Sequence, residues 1–196
     1  MTLTRIIPAT LALIASTAAA PAAENLLLEA EGFANKGGWK VDQQFTHIVG
    51  SPYLLAHGLG KPVENAATTA TFPETGTYRL WVRTRDWVPG DWEAPGRFRV
   101  IVGGTPVKTV FGTKDGWNWQ DGGTVTIGTK DVTVELEDLT GFDGRCDKLF
   151  FTTDTAARPP NEIAALRRWT NRLLGRPAVP PSAGEFDVVI VGGGIT

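Results

Sequence analysis

Apolar and polar positions alternate along several short stretches of this chain, the pattern of half-buried β-strands. In TGTYRLWVRTRDW, Tyr78, Leu80, Val82 and Thr84 fall on one face, and Arg79, Trp81, Arg83 and Arg85 on the other. The first set is expected to face a core. RFRVIV repeats the pattern, with Phe98, Val100 and Val102 inward and Arg97 and Arg99 outward. DVTVELED does so again, with Val132, Val134 and Leu136 inward and Thr133, Glu135 and Glu137 outward. LLLEAE (Leu26 to Glu31), ATTATF (Ala67 to Phe72) and KLFFTT (Lys148 to Thr153) complete the strand set. Gly103-Gly104 between two apolar runs reads as a tight hairpin. Short strands separated by Gly, Pro and Asp turns predict a mainly β fold, a jelly roll or β-sandwich, over residues 24–155. The outward arginines and glutamates are expected to form a solvated charged face, each cross-strand pair contributing about 0.2–1 kcal/mol.

After Thr155 the period changes. In ARPPNEIAALRRWTNRLLGRP, Ile163, Leu166, Thr170, Leu173 and Leu174 make an apolar stripe at helical spacing. Asn161 is placed as N-cap, and Gly175 and Pro177 end the helix. Arg167, Arg168, Arg172 and Arg176 make the other side and the C-terminal end basic, which complements the helix dipole. A helix this short is expected to dock on a neighbouring domain, with a membrane surface as the alternative. PAVPPSAGE reads as a stiff linker, so residues 156–185 hold a helix and its linker. Residues 186–196, FDVVIVGGGIT, then run from an apolar strand into a glycine turn. In a dinucleotide-binding fold Gly192 would allow the tight turn and Gly194 the close approach of a pyrophosphate. The third glycine of G-x-G-x-x-G falls at position 197, past the last residue. A glycine-rich hairpin loop is the plainer alternative.

The first 23 residues read as a signal peptide. Arg5 supplies the positive start, IIPATLALIAST is too short to span a bilayer, and Ala20 and Ala22 fit a cleavage signal after Ala22 or Ala23. The expectation is export to the periplasm or beyond, with no membrane span after cleavage; an uncleaved anchor is the alternative. The formal charge of −2 gives no footprint for nucleic acid. One cysteine, Cys146, rules out an internal disulfide, and with two histidines it argues against a Cys/His zinc site.

Candidate chemistry is sparse. No catalytic residues can be argued from spacing, and His47 and His57 have no evident partner. Six of the seven tryptophans precede Thr155, several in RDWVPGDWEAPG and KDGWNWQDGG beside Asp86, Asp91, Asp115 and Asp121. Aromatic faces with carboxylates alongside are a recipe for binding sugars. Trp87, Trp92 and Trp117 are the ligand-contact candidates; packing of loops and sandwich ends is the alternative.

The terminal DVVIVGGGI resembles the start of the flavin domain of FAD-dependent oxidoreductases, in which the glycines matching Gly192, Gly193 and Gly194 wrap the FAD pyrophosphate. LLLEAEGF, GTYRLWVRTRDW, WQDGG and LTGFDGRCDKLFFT resemble the accessory β-sandwich ahead of some secreted bacterial FAD-dependent oxidoreductases. That module is similar to galactose-binding-like, carbohydrate-binding-type sandwiches, and the likeness covers most of Leu26 to Thr153. The resemblance implies an exported flavoenzyme of unknown substrate, with FAD rather than NAD as cofactor. Residues 186–196 are then the truncated first strand and turn of a Rossmann-like α/β domain. The partner is the flavin domain that follows, and these residues alone are not expected to bind flavin or catalyse. A carbohydrate-binding module that localises a partner, and a purely structural module, are the alternatives. The resemblance also implies a structural Ca²⁺ held by Glu29, Glu31 and Asp147, hard oxygen donors that suit the ion; surface carboxylates paired with Lys or Arg are the alternative.

Overall fold

The computed structural model describes residues 22–86 and 95–188. Within them ten strands form two antiparallel sheets. The first sheet contains β1 (Asn25–Glu29), β2 (Lys40–Asp42), β3 (Tyr53–His57), β5 (Gly76–Arg85), β8 (Asn118–Ile127) and β10 (Phe142–Thr152), in the order β2-β3-β10-β5-β8 with β1 also on β10. The second contains β4 (Ala66–Thr71), β6 (Phe98–Val102), β7 (Thr105–Pro106) and β9 (Asp131–Asp138), ordered β4-β9-β6-β7. Two helices complete the list, α1 (Thr46–Val49) and α2 (Ile163–Leu173). The fold is a mainly β sandwich of the jelly-roll, galactose-binding-like type.

The alternation explains the core. Tyr78, Leu80, Val82, Phe98, Val100, Val134 and Leu136 are all fully buried between the sheets, on the faces their period predicts. Phe72 anchors this core with its ring edge-on to Tyr78 and Phe151 at 5.2 and 5.1 Å. The Gly103-Gly104 hairpin joins β6 to β7, both glycines at positive φ (56° and 75°) as a tight two-residue turn demands. Arg99 faces Glu137 in register across β6 and β9, and their side chains pair at 3.3 Å.

Three features depart from the period-two reading. Strands β3 and β8 carry no clean alternation, and β8 holds Trp119, Asp121 and two glycines in a segment expected to be loop. Strand β10 starts at Phe142, six residues before the expected Lys148, and is the central strand: β3 and then β1 pair along one side, β5 along the other. A bulge between Cys146 and Lys148 then breaks its alternation. Cys146 and Leu149 enter the core, while Asp147 and Lys148 both join Arg83 on the outer face.

That outer face is covered, which corrects the expectation of a solvated charged surface. Arg83 is 1% exposed, and Trp81 and Phe150 are buried beneath α2. The Trp169 ring lies edge-on to Phe150 at 4.8 Å and to Trp119 at 5.8 Å. Helix α2 starts differently from the sequence reading. Asn161 is not the cap: it accepts from Arg83 Nε (3.1 Å) and donates to the Trp117 carbonyl (2.8 Å). The cap is Glu162, whose two carboxylate oxygens accept from the Ala164 and Ala165 amides at 2.9 Å each. Those amides hold its carboxyl below the usual range. At the other end Arg176 binds Glu29 at 2.6 Å.

Because α2 seals an apolar and charged sheet face, Trp169→Ala is expected to lower unfolding free energy by about 2–4 kcal/mol. Urea denaturation followed by tryptophan fluorescence checks this; a change under 0.5 kcal/mol would mean the helix merely rests on the sheet.

Candidate functional site

Two places concentrate chemistry, and the described tryptophan candidate lies in neither as a ligand platform. Trp117 is 7% exposed; its ring sits 4.9 Å from Tyr53, with Arg83 over it at 5.8 Å. It packs the sheet face instead of presenting to solvent, because the outer face it lies on is covered. Trp87 and Trp92 lie outside the described residues, as do Gly192, Gly193, Gly194 and the signal segment up to residue 21.

The first place is the end of the sandwich where the β3–β4, β5–β6 and β9–β10 connections meet. Buried Asp138 organises it: Oδ1 accepts from the Thr140 and Gly141 amides (3.1 and 3.0 Å), and Oδ2 from the Val63 amide (2.9 Å). One carboxylate thus ties two loops together. The Gly141 carbonyl accepts from Gly58 and Gly60 at 2.9 and 3.2 Å, and Thr140 Oγ1 donates to the Pro95 carbonyl. Backbones approach so closely that a Cβ at Gly141 would meet the Lys61 carbonyl oxygen at 2.2 Å.

On this stapled pair of loops Phe142 is 52% exposed and Leu59 80% exposed. The Phe142 ring abuts Gly60, where a Cβ would stand 2.9 Å from Cζ. The only two non-glycine residues at positive φ among the described residues are Leu59 (53°) and Asp143 (55°), and both flank Phe142. Left-handed backbone at such residues costs about 1–3 kcal/mol each and concentrates where a site must be held in shape. His57 Nδ1 lies 2.6 Å from Asp143 Oδ1, and Arg145 Nη1 donates to the Asp143 carbonyl at 2.9 Å. Arg145 and Arg85 stand over the Phe45 ring at 5.9 and 4.9 Å, extending a band of polar and aromatic groups across this end. The arrangement offers an open apolar ring beside fixed hydrogen-bonding groups. Among the described residues no nucleophile with an adjacent base is found in it.

The second place is the network on the outer face. Glu29 and Asp147 meet around an ammonium: Lys148 Nζ donates to Ser51 Oγ at 2.7 Å, Asp147 Oδ1 at 3.0 Å and Glu29 Oε1 at 3.4 Å. Asp147 Oδ2 also takes Arg83 Nη1 at 2.8 Å. Glu31 is not on the strand face shared with Glu29, because the chain leaves β1 for a 3-10 turn over Ala30–Gly32. Its Oε2 is buried with no hydrogen-bond partner. Burial above all, with Asp147 and Glu29 adding, pushes its carboxyl up to about 7 against the pull of Lys148. No group of three or more His, Cys, Asp or Glu side chains among the described residues forms a ready metal cage. Carboxylate oxygens suit calcium, but here Glu29 and Asp147 are engaged by the Lys148 ammonium.

A cleft of about 680 Å³ lies elsewhere, between β8 and the β6–β7 hairpin. Its walls are Thr, Val and Gly with Pro106 and Lys108, without an aromatic ring for a sugar to stack on. No helix among the described residues is long and apolar enough to cross a membrane.

No protein-family profile matches the chain, and no curated protein sequence does. Solved structures share its fold. The GH26-CBM35 β-(1,4)-mannanase of Podospora anserina is 21% identical with a TM-score of 0.53; the match covers 70% of this chain and 29% of that one. A family 35 carbohydrate-binding module from Clostridium thermocellum is 16% identical with a TM-score of 0.51, covering 65% of this chain and 96% of that one. A CBM36 module solved with calcium and xylotriose is 20% identical at a TM-score of 0.47. At these identities the first two matches establish the fold alone: a β-sandwich like that of carbohydrate-binding modules.

Sequence reasoning missed Phe142, Leu59 and the His57–Asp143 pair. The available signal was Gly58, Gly60 and Gly141 around two exposed apolar residues, which marks close backbone approach.

Asp138→Asn is expected to cost about 1–3 kcal/mol, since an amide cannot accept all three backbone N–H bonds. Hydrogen exchange should quicken at Val63, Thr140 and Gly141. Unchanged exchange there would show that the loops hold without the carboxylate.

Proposed function

We propose that the sandwich is a carbohydrate-binding accessory module of an exported protein, and that the Phe142 end is its glycan contact. The observation that carries this is an exposed aromatic ring held between two strained residues on stapled loops, beside His57 and Asp143. Leu59 takes its left-handed backbone in the turn closed by the Lys61 amide on the Gly58 carbonyl (3.0 Å), and Asp143 takes its own at the bulge between Phe142 and Gly144; together they fix the backbone on either side of the exposed ring. The fold supports the reading, since carbohydrate-binding modules share it. A sugar ring would lie on Phe142 while the His57 imidazole and the Asp143 carboxylate take its hydroxyls. Trp87 and Trp92, in the β5–β6 connection, belong to the same proposal.

Calcium joins it through one observation, the unpartnered buried Glu31 Oε2. Glu29, Glu31 and Asp147 would hold the ion once the Lys148 ammonium moved aside, and the ion would brace β1 against β10.

A second reading concerns the whole protein. FDVVIVGGGIT favours an FAD-dependent oxidoreductase in which this module precedes the flavin domain. Gly192, Gly193 and Gly194 would carry the cofactor's phosphates, and no catalytic step is assigned to the residues described.

Calorimetric titration of the purified chain with soluble xylan, mannan and galactan is expected to reveal binding to at least one. Phe142→Ala should weaken it about tenfold, the order of one lost aromatic contact of ~1.4 kcal/mol. Silence from the whole panel, with and without calcium, or full binding by the variant, counts against the proposal.

Saturating calcium should raise the melting temperature, EDTA should reverse the rise, and Glu31→Gln should remove it. A melting curve indifferent to calcium would leave Lys148 as the permanent occupant.

A further inference from the structure

We propose a second ligand site, formed by α2 against the sandwich, for a small carboxylate carried on a single ring. A groove of about 360 Å³ runs between α2, the turn after β10 and the start of β1; its chemistry is set by Trp169, Phe150, Arg158, Arg172, Asp154 and Asn25. This volume lies near the lower end of the range for small-molecule sites, about 300–1,000 Å³, and fits one ring.

Each wall is fixed for a reason already in the fold. Trp169 is clamped edge-on by Phe150 and Trp119, so its remaining half-exposed surface cannot turn away. Arg158 is held by three backbone carbonyls through Nη1 (Thr155, Ala156 and Ala157 at 3.4, 3.1 and 2.8 Å) and lies over the Trp81 ring at 5.1 Å. Asp154 is committed to its turn, Oδ1 accepting from the Ala156 amide at 2.8 Å. Asn25 donates to the Ala23 carbonyl at 3.0 Å.

Arg172 differs from these. It projects from the last turn of α2 into the groove, and among the described residues its guanidinium has no hydrogen-bond or ion-pair partner. Arg176, just past the helix, is spent on Glu29. The groove therefore has two guanidiniums against one carboxylate, and one of them is unengaged. A planar guanidinium fork binds a carboxylate with two parallel hydrogen bonds, which an ammonium cannot do. Trp169 offers the ring its apolar surface, and Asn25 and Asp154 accept or donate at its edge. A neutral ring would leave Arg172 without its partner. The site is remote from Phe142 and does not depend on the glycan proposal.

Sugar acids and aromatic acids share this chemistry, and titration separates them. The purified chain is titrated by calorimetry with glucuronate and with benzoate, and with glucose and benzyl alcohol as uncharged counterparts. At least one acid should bind, its counterpart much less, and added salt should weaken the binding. Arg172→Gln should reduce affinity about tenfold, the effect of one charged hydrogen-bonded contact. Arg168→Gln makes the same charge change on the exposed side of α2 and should have no effect. Phe142→Ala should also have none, which keeps this site distinct from the glycan contact. Matching thermal melts of the variants confirm that the fold is intact. Absence of binding by both acids, equal binding of acid and counterpart, or equal losses in the Arg172 and Arg168 variants overturns the proposal.

Discussion

The buried Arg83–Asp147 pair constrains the rest of the molecule. Both side chains are essentially out of water. Removing two charges from solvent costs several kcal/mol per ion, and their attraction offsets this only when the remaining hydrogen-bonding positions are filled. Here they are filled from every side. Asn161 takes Arg83 Nε, Ser51 and Lys148 take Asp147 Oδ1, and Glu29 takes Lys148. These partners come from β1, the loop before β3, β10 and the entry to α2. The pair works as a register pin: the outer face of the larger sheet is satisfied only when four distant segments arrive together.

This accounts for the helix being part of the folded unit. The β-sandwich buries its inner faces by itself, but Trp81, Phe150 and the ionic network lie on the outside of β5 and β10. Without α2 they would meet water. The same cover creates a groove absent from a bare sandwich, where Trp169 and Arg172 add chemistry that the strands do not carry. The opposite strategy operates at the loop end. Asp138 and close-packed glycines hold Leu59, Phe142 and Asp143 in a strained, exposed arrangement. One face is hidden because it is charged, and the other is kept open although it is apolar.

Legibility followed periodicity. The inner faces of β5, β6 and β9 were readable because period-two alternation is a local property, and the Gly103-Gly104 turn because two left-handed positions require glycine. The start of β10 was not readable, because a bulge at Cys146–Lys148 shifts the alternation by one residue. The outward arginines looked solvated for the same kind of reason. Alternation tells which residues share a face, and says nothing about whether a helix 80 residues later covers it. Asn161 looked like a cap from its neighbours, yet Arg83 and Trp117 claim its side chain, and Glu162 caps instead.

The same division separates the candidate sites. The sequence by itself determined the mainly β class, the core-facing residues and the amphipathic helix, since all of these are written in short-range patterns. Tertiary structure alone decided that Trp117 packs, that the Lys148 ammonium engages Glu29 and Asp147, and that His57 meets Asp143. It alone placed Leu59 beside Phe142 and Arg172 across from Arg158. Each of those outcomes depends on which residues distant in the chain share a surface, and no local pattern encodes that.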